Sequence, residues 1–316
     1  MQATSDFERI RELLHQKADL NARLHLIPYE GTPEVKSKGA GRYLYMRRRV
    51  AGKLTSTYVD VYSEELHQLL LRNAAEAREL RKRLRRVEKQ LASLGYAEGD
   101  LDPRVALNLD FARANMKASI YDQAVLEGVA TSFPQTEEII ENGRVSGVAA
   151  SDVQKVLNLK HAWEFVLDAD VLSCVTDFPI LSHIARLVNE GFFDDGGRVR
   201  GVPMAVGGTS YVPPLPQETI VRERIAEIVA SKADEAVDVS IELCLYCMKA
   251  QVFLDGNKRA AIIFANHYLI AHGGGLLVVP ESDVARFKKL LIGHYEGTAT
   301  AELVAFMKER CWRGFD

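Results

Sequence analysis

One stretch of the chain, Lys249 to Ile262, restricts the fold and the chemistry more than any other. It places the tripeptide Asp255-Gly-Asn257 shortly before residues 260–269, a largely apolar run without proline or glycine. This pattern predicts a helix whose first turn is opened by the Asp-Gly-Asn segment. The N-terminus of a helix presents unpaired N–H groups and the positive end of the helix dipole, so it attracts anions.

The charges around that helix start point to phosphate. Lys258 and Arg259 add positive charge, and Gly256 lets a ligand approach the backbone closely. Asp255 has the opposite sign, and its simplest role is to hold a divalent cation that bridges to phosphate oxygens. The stretch therefore predicts a site for a nucleotide with Mg²⁺. A capped helix with surface charges is the alternative interpretation.

The segment Phe253-Leu-Asp-Gly-Asn-Lys-Arg259 resembles the core of the Fic/Doc family motif, His-x-Phe-x-Asp/Glu-Gly/Ala-Asn-Gly/Lys-Arg. The resemblance implies a mainly α domain with a short β-hairpin flap. It also implies transfer of a nucleotide part, most often AMP from ATP, to a hydroxyl of a target protein, whereas Doc-type members transfer a phosphate. By resemblance, the site residues are Gln251, Asp255 and Arg259 for catalysis, Gly256, Asn257, Lys258 and Arg259 for the nucleotide, and Asp255 for the metal.

Two positions depart from the family motif. Gln251 stands where the family has its catalytic His, and Ile262 stands where the longer motif has a second Arg. An amide can donate and accept hydrogen bonds but cannot take a proton near neutral pH, as an imidazole can. Slow transfer and nucleotide binding without transfer both remain open. His267 lies two helical turns beyond Arg259, so we expect it to pack against a neighbouring helix rather than act as the base.

A second element, Leu126-Glu-Gly128, resembles the inhibitory element of the family, with Gln123 where Ser or Thr is usual. In the family, the glutamate pairs with the second motif Arg and blocks the γ-phosphate position. Since Ile262 replaces that Arg, this pairing is not available in the same form. Glu127 is therefore either regulatory or a structural acid.

The segment from Val206 to Val212 resembles the β-hairpin flap that precedes the motif in Fic proteins. A glycine pair suits the turn, and Tyr211-Val212 suits a returning strand. An exposed strand edge can dock an extended peptide of a target protein through main-chain hydrogen bonds. A surface hairpin without a ligand is the alternative. The candidate target-binding residues are Gly207, Gly208, Thr209, Ser210 and Tyr211.

The N-terminal part has a different pattern. Residues 5–26 predict an amphipathic helix, and residues 42–49 and 54–62 predict two strands joined by a turn at Gly52. Residues 63–94 predict a long helix with a heptad seam, which can pair either with the helix at 5–26 or with a second subunit as a coiled coil.

The predicted hairpin is strongly basic. Seven Lys or Arg and no acid lie between Lys36 and Lys53, interleaved with Tyr43 and Tyr45. Basic groups bind phosphate and aromatic rings stack on bases, so this stretch could bind nucleic acid and make the protein a nucleic-acid-associated regulator. A solvated hairpin face is the alternative.

Composition limits the remaining classes. The 316 residues are 47% apolar and 26% charged with a net charge of -3, which is typical of a soluble globular protein without overall affinity for nucleic acid or membrane. We find no signal peptide or membrane span, so we expect a cytoplasmic protein. As a separate expectation, the protein is bacterial. Cys244 and Cys247 lie in an apolar run and are expected to be buried helix positions. A linker rich in Gly, Asp and Pro predicts two domains, at 1–100 and 101–316.

Overall fold

The computed structural model of the chain describes residues 2–143, 145–231 and 235–315, without the side chains of residues 2–5 and 50. It is 61% helical, and the predicted mainly α fold is confirmed. The chain divides into two compact units, of which the first comprises residues up to 97 together with 141–143 and the second holds the rest. The boundary at residue 100, drawn from the linker, stays a prediction. In the described part, no helix is long and apolar enough to cross a membrane.

The first unit is a three-stranded antiparallel sheet with two long helices. The predicted hairpin is present, but its first strand also pairs with an earlier strand, which was not among the predicted elements. That strand contains Pro33 and five polar or charged residues, so pairing rather than propensity makes it a strand. The elements are α1 Gln2–Leu26, β1 Thr32–Lys38, β2 Gly41–Val50, β3 Lys53–Val61 and α2 Glu64–Ser93.

Helix α2 begins where the sequence predicts, because the Ser63 hydroxyl accepts a hydrogen bond from the N–H of Leu66 at 3.2 Å. It packs against α1, the first of the two partners that the heptad pattern allows. Pairing with a second subunit stays a prediction. The buried side of α2 follows the predicted steps of three and four, at Leu66, Leu70, Ala77, Leu80, Val87 and Leu91.

The sheet has one buried face. Leu44 and Met46 of β2 are buried in a cluster with Leu66 and Leu70 of α2. Because side chains alternate along a strand, the neighbours of Leu44 and Met46 lie on the opposite, open face.

The second unit is helical, with one short antiparallel pair between β4 and β5. Helix α10 is its centre, since it is buried along almost its whole length and packs against α9, α7, α3 and α5. The elements are α3 Pro103–Leu126, α4 Phe133–Asn142, α5 Ala150–Val166, α6 Ala169–Leu172, α7 Phe178–Val188, α8 Glu218–Val229, α9 Ala236–Ala250, α10 Asn257–Ala271, β4 Leu276–Leu277, a 3₁₀ turn Glu281–Asp283, α11 Val284–Tyr295, α12 Thr300–Phe306, a π turn Met307–Cys311 and β5 Trp312–Arg313.

Candidate phosphate-binding site

The predicted site lies on the turn between α9 and α10. Gln251 ends α9 with a left-handed backbone, φ 46°, and Gly256 precedes α10 with φ 72°. Positive φ costs a residue other than glycine of the order of 1 kcal/mol, so the surroundings must hold Gln251 in place. Helix α10 begins at Asn257, directly after this turn. Its first N–H groups have no partners within the helix, so they are left unpaired at the turn.

The side chain of Asn257 holds the turn together. Its Oδ1 accepts from the N–H of Phe253 at 2.9 Å, and its Nδ2 donates to the carbonyl of Phe253 at 2.8 Å and to Oε1 of Gln251 at 3.1 Å. All of these contacts are buried. The Asn257 side chain thus braces the loop at the start of α10.

Gln251 is also engaged within the turn. It is 7% exposed, and its Nε2 donates to the carbonyl of Met248 at 2.6 Å while its Oε1 accepts from Asn257. The hydroxyl of Tyr295 lies close enough to interact with the Gln251 amide, and burial raises the pKa of Tyr295. Both ends of the amide therefore stabilise the left-handed residue that carries it.

Arg259 and Asp255 form an ion pair on the first turn of α10. Nη2 of Arg259 lies 2.7 Å from Oδ2 of Asp255, and Nη1 donates to the carbonyl of Val188 at 2.7 Å. The Arg259 side chain is 3% exposed, whereas that of Asp255 is 55% exposed. The guanidinium is therefore fixed, and the carboxylate remains accessible to a ligand.

Glu127, at the end of α3, faces the same cations. Its Oε2 lies 3.6 Å from Nε of Arg259, and its Oε1 lies 3.4 Å from Nζ of Lys258. Ile262 is buried in the core at 2% exposed, so Glu127 pairs with motif residues other than the position of the second Arg. Two carboxylates, of Glu127 and Asp255, and two cations, of Lys258 and Arg259, thus lie together, and their formal charges cancel.

Two further residues position the turn, and the sequence analysis assigned no role to either. Nδ2 of Asn189 donates to the carbonyl of Asp255 at 2.9 Å and to that of Gly196 at 3.1 Å. A Cβ on Gly256 would lie 2.7 Å from Oδ1 of Asn189, so the site requires glycine there for space as well as for its backbone.

The second of these residues is Arg200, which is 2% exposed. Its Nε donates to the carbonyl of Gln251 at 2.6 Å, and its other nitrogens donate to Val202 at 2.7 Å and Pro214 at 2.6 Å. Burial lowers the pKa of Arg200 from its ordinary value. The arginines of Gly197-Arg-Val-Arg-Gly201 look alike in sequence, and only the fold distinguishes the buried one.

The predicted flap is a turn without strands. Residues 202–217 form no ladder with another segment, so the predicted strands of the hairpin are wrong and only the turn at Gly207-Gly208 is observed. Four prolines between 203 and 216 remove the N–H donors that a ladder needs.

Side-chain contacts, instead of a strand ladder, hold this segment in place. The Tyr211 hydroxyl donates to the carbonyl of Lys249 at 3.3 Å, and its ring stacks on that of Tyr295 with centroids 5.9 Å apart. The Thr209 hydroxyl donates to Glu296 at 2.7 Å, and the N–H of Ser210 points to the same carboxylate at 3.4 Å. The segment is thereby held beside the residues that precede Gln251.

Comparison with known proteins identifies a domain within the second unit. Residues 177–269, which include the turn, match the Fic/DOC family. These residues form a Fic/DOC domain. Residues 7–68 match a domain of unknown function, DUF6788. A comparison with curated proteins gives no match.

Two solved structures have a similar fold. Fic-1 from C. elegans, residues 134–508, is 18% identical over 78% of this chain and 75% of its own, with a TM-score of 0.52. A signalling protein with a Fic domain from Bacteroides thetaiotaomicron is 16% identical over 66% of this chain and 85% of its own, with a TM-score of 0.53. At these identities the similarity is one of fold.

A cavity of about 880 Å³ adjoins residues 211–217 in the second unit. Tyr211, Leu215, Ile220, Tyr246 and Lys249 are among its lining residues, and none of Asp255 to Arg259 is. The cavity therefore lies beside the candidate phosphate site and does not contain it.

The other titratable residues that the sequence analysis considered, His267, Cys244 and Cys247, are buried in the core of the second unit. His267 contacts the hydroxyl of Thr176 and the carbonyl of Val171, both at 2.9 Å, and burial lowers its pKa to about 4. It is therefore a neutral packing residue, in agreement with the sequence analysis. Cys244 and Cys247 are free and buried in α9.

The described residues contain no group of three or more His, Cys, Asp or Glu placed to hold a metal. A magnesium ion at Asp255 would therefore have one carboxylate ligand from the chain. Mg²⁺ is commonly bound by one or two carboxylates together with substrate phosphates and water. The exposed Asp255 carboxylate fits that mode.

Proposed function

We propose that the Fic domain binds the phosphates of ATP at the N-terminus of α10 and transfers AMP to a hydroxyl of a target protein. The observation that carries this proposal is the turn of Gly256, which sets the exposed Asp255, the Lys258 ammonium and the Arg259 guanidinium around the free N–H groups of a buried helix. Such an arrangement favours anions.

In this proposal each group acts on the phosphates. The N–H groups of α10, Lys258 and Arg259 neutralise their charge, and Arg259 is held rigidly enough to do so without reorganising. Bound Mg²⁺, held by Asp255, would supply further charge neutralisation on the phosphate oxygens. The hydroxyl attacks the α-phosphorus, and pyrophosphate leaves.

Proton removal is the weak step. Gln251 uses one N–H for Met248 and one lone pair for Asn257, and its second N–H faces the Tyr295 hydroxyl, so it keeps one lone pair with which to orient an attacking hydroxyl. It cannot accept the proton, which must pass to water. Lack of a general base typically costs on the order of 10²–10⁴ in rate, so we expect slow transfer.

Glu127 is positioned to oppose nucleotide binding, because its carboxylate already neutralises Lys258 and Arg259. An incoming phosphate competes with it for the same two cations. We therefore infer a regulatory role for Glu127 within the proposed function.

Nucleotide binding without transfer is the second candidate. The observation that favours it is the use of both ends of the Gln251 amide within the turn, which is the bonding expected of a structural residue. In that case the domain acts as a nucleotide-dependent scaffold or sensor.

Thermal unfolding with and without ATP and Mg²⁺ tests the site itself. We expect ATP with Mg²⁺ to raise the Tm of the wild type. The Tm of Glu127→Gln should rise at lower ATP concentrations than that of the wild type, and the Tm of Asp255→Ala should not change with ATP. Glu302→Gln, an exposed position on α12, makes the same charge change away from the site and is the control. Unchanged melting of both wild type and Glu127→Gln at millimolar nucleotide would defeat both candidates.

Intact-mass measurement of self-modification separates the two candidates. Gln251→His supplies a base and is expected to gain the mass of AMP faster than the wild type, whereas Gln251→Ala is not. Stabilisation by ATP without a mass gain in any variant, with or without lysate proteins, supports the binding-only candidate. Activity in the wild type that is lost in Gln251→His would show that the amide itself is needed.

A further inference from the structure

The open face of the sheet in the first unit carries aromatic and basic side chains. Leu44 and Met46 of β2 are buried on the other face, so Tyr43, Tyr45 and Arg47 lie on the open one. The pairing register places Tyr58 of β3 directly beside Tyr45. The open face is therefore not part of the hydrophobic core of this unit.

Three tyrosines form a cluster on this face. The ring centroids of Tyr43 and Tyr58 are 6.3 Å apart, and those of Tyr45 and Tyr58 are 5.6 Å apart. Tyr58 is 50% exposed. Adjacent rings that are open to solvent form a platform on which the flat face of another ring system can stack.

Cations surround the cluster. Residues 32–61 contain seven Lys or Arg against two acids, although the whole chain has a net charge of -3. Within the described part of the chain, Lys38, Arg47 and Arg49, which the register places on the open face, are exposed and make no ion pair. Cations without acidic partners on a folded surface are available to an anionic ligand.

We propose that this face binds single-stranded nucleic acid, with bases stacked on the tyrosine cluster and phosphates held by the surrounding cations. Single strands combine a regular row of phosphates with unpaired bases, and they are bound by surfaces that join basic groups to aromatic platforms. An acidic protein would satisfy the cations but would leave the exposed rings without a function. The exposed rings therefore favour single-stranded nucleic acid over an acidic protein as the ligand.

Titration of the full chain into labelled single-stranded DNA and RNA, followed by fluorescence anisotropy over a range of salt, tests the cationic part. We expect Arg47→Glu/Arg49→Glu to weaken binding and to reduce the slope of log K against log salt by about 1.4, at about 0.7 for each phosphate contact in a single strand. Arg85→Glu/Arg86→Glu on the exposed side of α2 changes the net charge equally and is the matched control. An equal loss of affinity in the control would overturn the proposal, because binding would then depend on the net charge of the chain and not on this face.

The tyrosine cluster is tested separately by substitutions at Tyr58. Tyr58→Leu keeps an apolar side chain but removes the ring, and we expect about fivefold weaker binding or more, with an unchanged salt slope. Tyr58→Phe keeps the ring and is expected to bind like the wild type. Circular dichroism melting of each variant checks that the sheet remains folded.

Three further results would overturn the proposal. The first is no binding to either single strand at low salt. The second is tighter binding to duplex DNA together with full affinity in Tyr58→Leu, which shows that stacking is not used. The third is equal binding to polyglutamate of the same charge, which shows that an acidic protein is the ligand.

Discussion

At position 256, both the backbone conformation and the packing require glycine. Its φ is 72°, and a Cβ at this position would lie 2.7 Å from Oδ1 of Asn189. The same Asn189 amide donates to the carbonyl of Asp255, so a displaced Asn189 would also release the turn. The lack of space for a side chain at position 256 is therefore set by Asn189, which lies 67 positions earlier in the chain.

We expect Gly256→Ala to lower the free energy of unfolding by about 2–3 kcal/mol, because the positive φ costs about 1 kcal/mol and displacement of a buried hydrogen-bonding partner adds a similar amount or more. Urea denaturation measures this. Gly297→Ala is the matched control, since Gly297 has φ 80° and open space around it, and we expect it to lose about 1 kcal/mol. Equal losses in the two variants would mean that Asn189 moves aside without cost.

At the scale of elements, the segment between α7 and α8 shows how a chain can be ordered without strands. Arg200 donates to the carbonyls of Val202, Pro214 and Gln251 and so ties the two ends of the segment to the turn of the site. Within the described part of the chain, this guanidinium donates to carbonyl oxygens and pairs with no acid. Order in the flap segment therefore depends strongly on one side chain.

Arg200→Met tests that dependence. It fills part of the same volume but leaves four carbonyls without this donor, and each buried unsatisfied group costs about 1–3 kcal/mol. We expect a loss of about 3 kcal/mol or more in urea denaturation and faster proteolysis between residues 203 and 212. Arg198→Met, at an exposed position two residues earlier, is expected to change neither measurement. Unchanged proteolysis in Arg200→Met would show that Tyr211 and Thr209 suffice to hold the segment.

At the scale of the whole molecule, buried His267 makes stability depend on pH. Burial lowers its pKa to about 4 in the folded protein, from an ordinary 6.5 in the unfolded chain. Between these values the unfolded chain binds a proton that the folded protein does not, so stability falls as pH decreases from 6.5 towards 4. Above pH 6.5 both states are neutral, and the contribution of His267 is constant.

We expect this residue alone to remove roughly 3 kcal/mol between pH 7 and pH 4, from about 1.4 kcal/mol for each unit of pKa difference. His267→Gln can still donate to the carbonyl of Val171 and accept from Thr176 but does not titrate. Urea denaturation at several pH values should give a shallower acid slope for His267→Gln than for wild type. His272→Gln, at a partly exposed position on the same helix end, is the control. Parallel slopes for wild type and His267→Gln would contradict the buried-histidine account.

Local sequence pattern was sufficient for the elements that depend on it. The Asp-Gly-Asn segment before an apolar run predicts the start of α10, the steps of three and four predict the buried side of α2, and Gly52 predicts the turn between β2 and β3. Each of these features depends on residues within one or two turns of each other. Periodicity and backbone preference act at that range, so the sequence alone determines them.

Tertiary structure decided which side chains meet at the site. The pairing of Glu127 with Lys258 and Arg259, the brace from Asn189 and the buried Arg200 all join residues that are far apart in the chain. Nothing in a local pattern distinguishes Arg200 from Arg198, or shows that β1 finds a partner in β2. The physical reason is that burial and hydrogen bonding of a side chain depend on the elements packed around it, and those elements come together only in the folded chain.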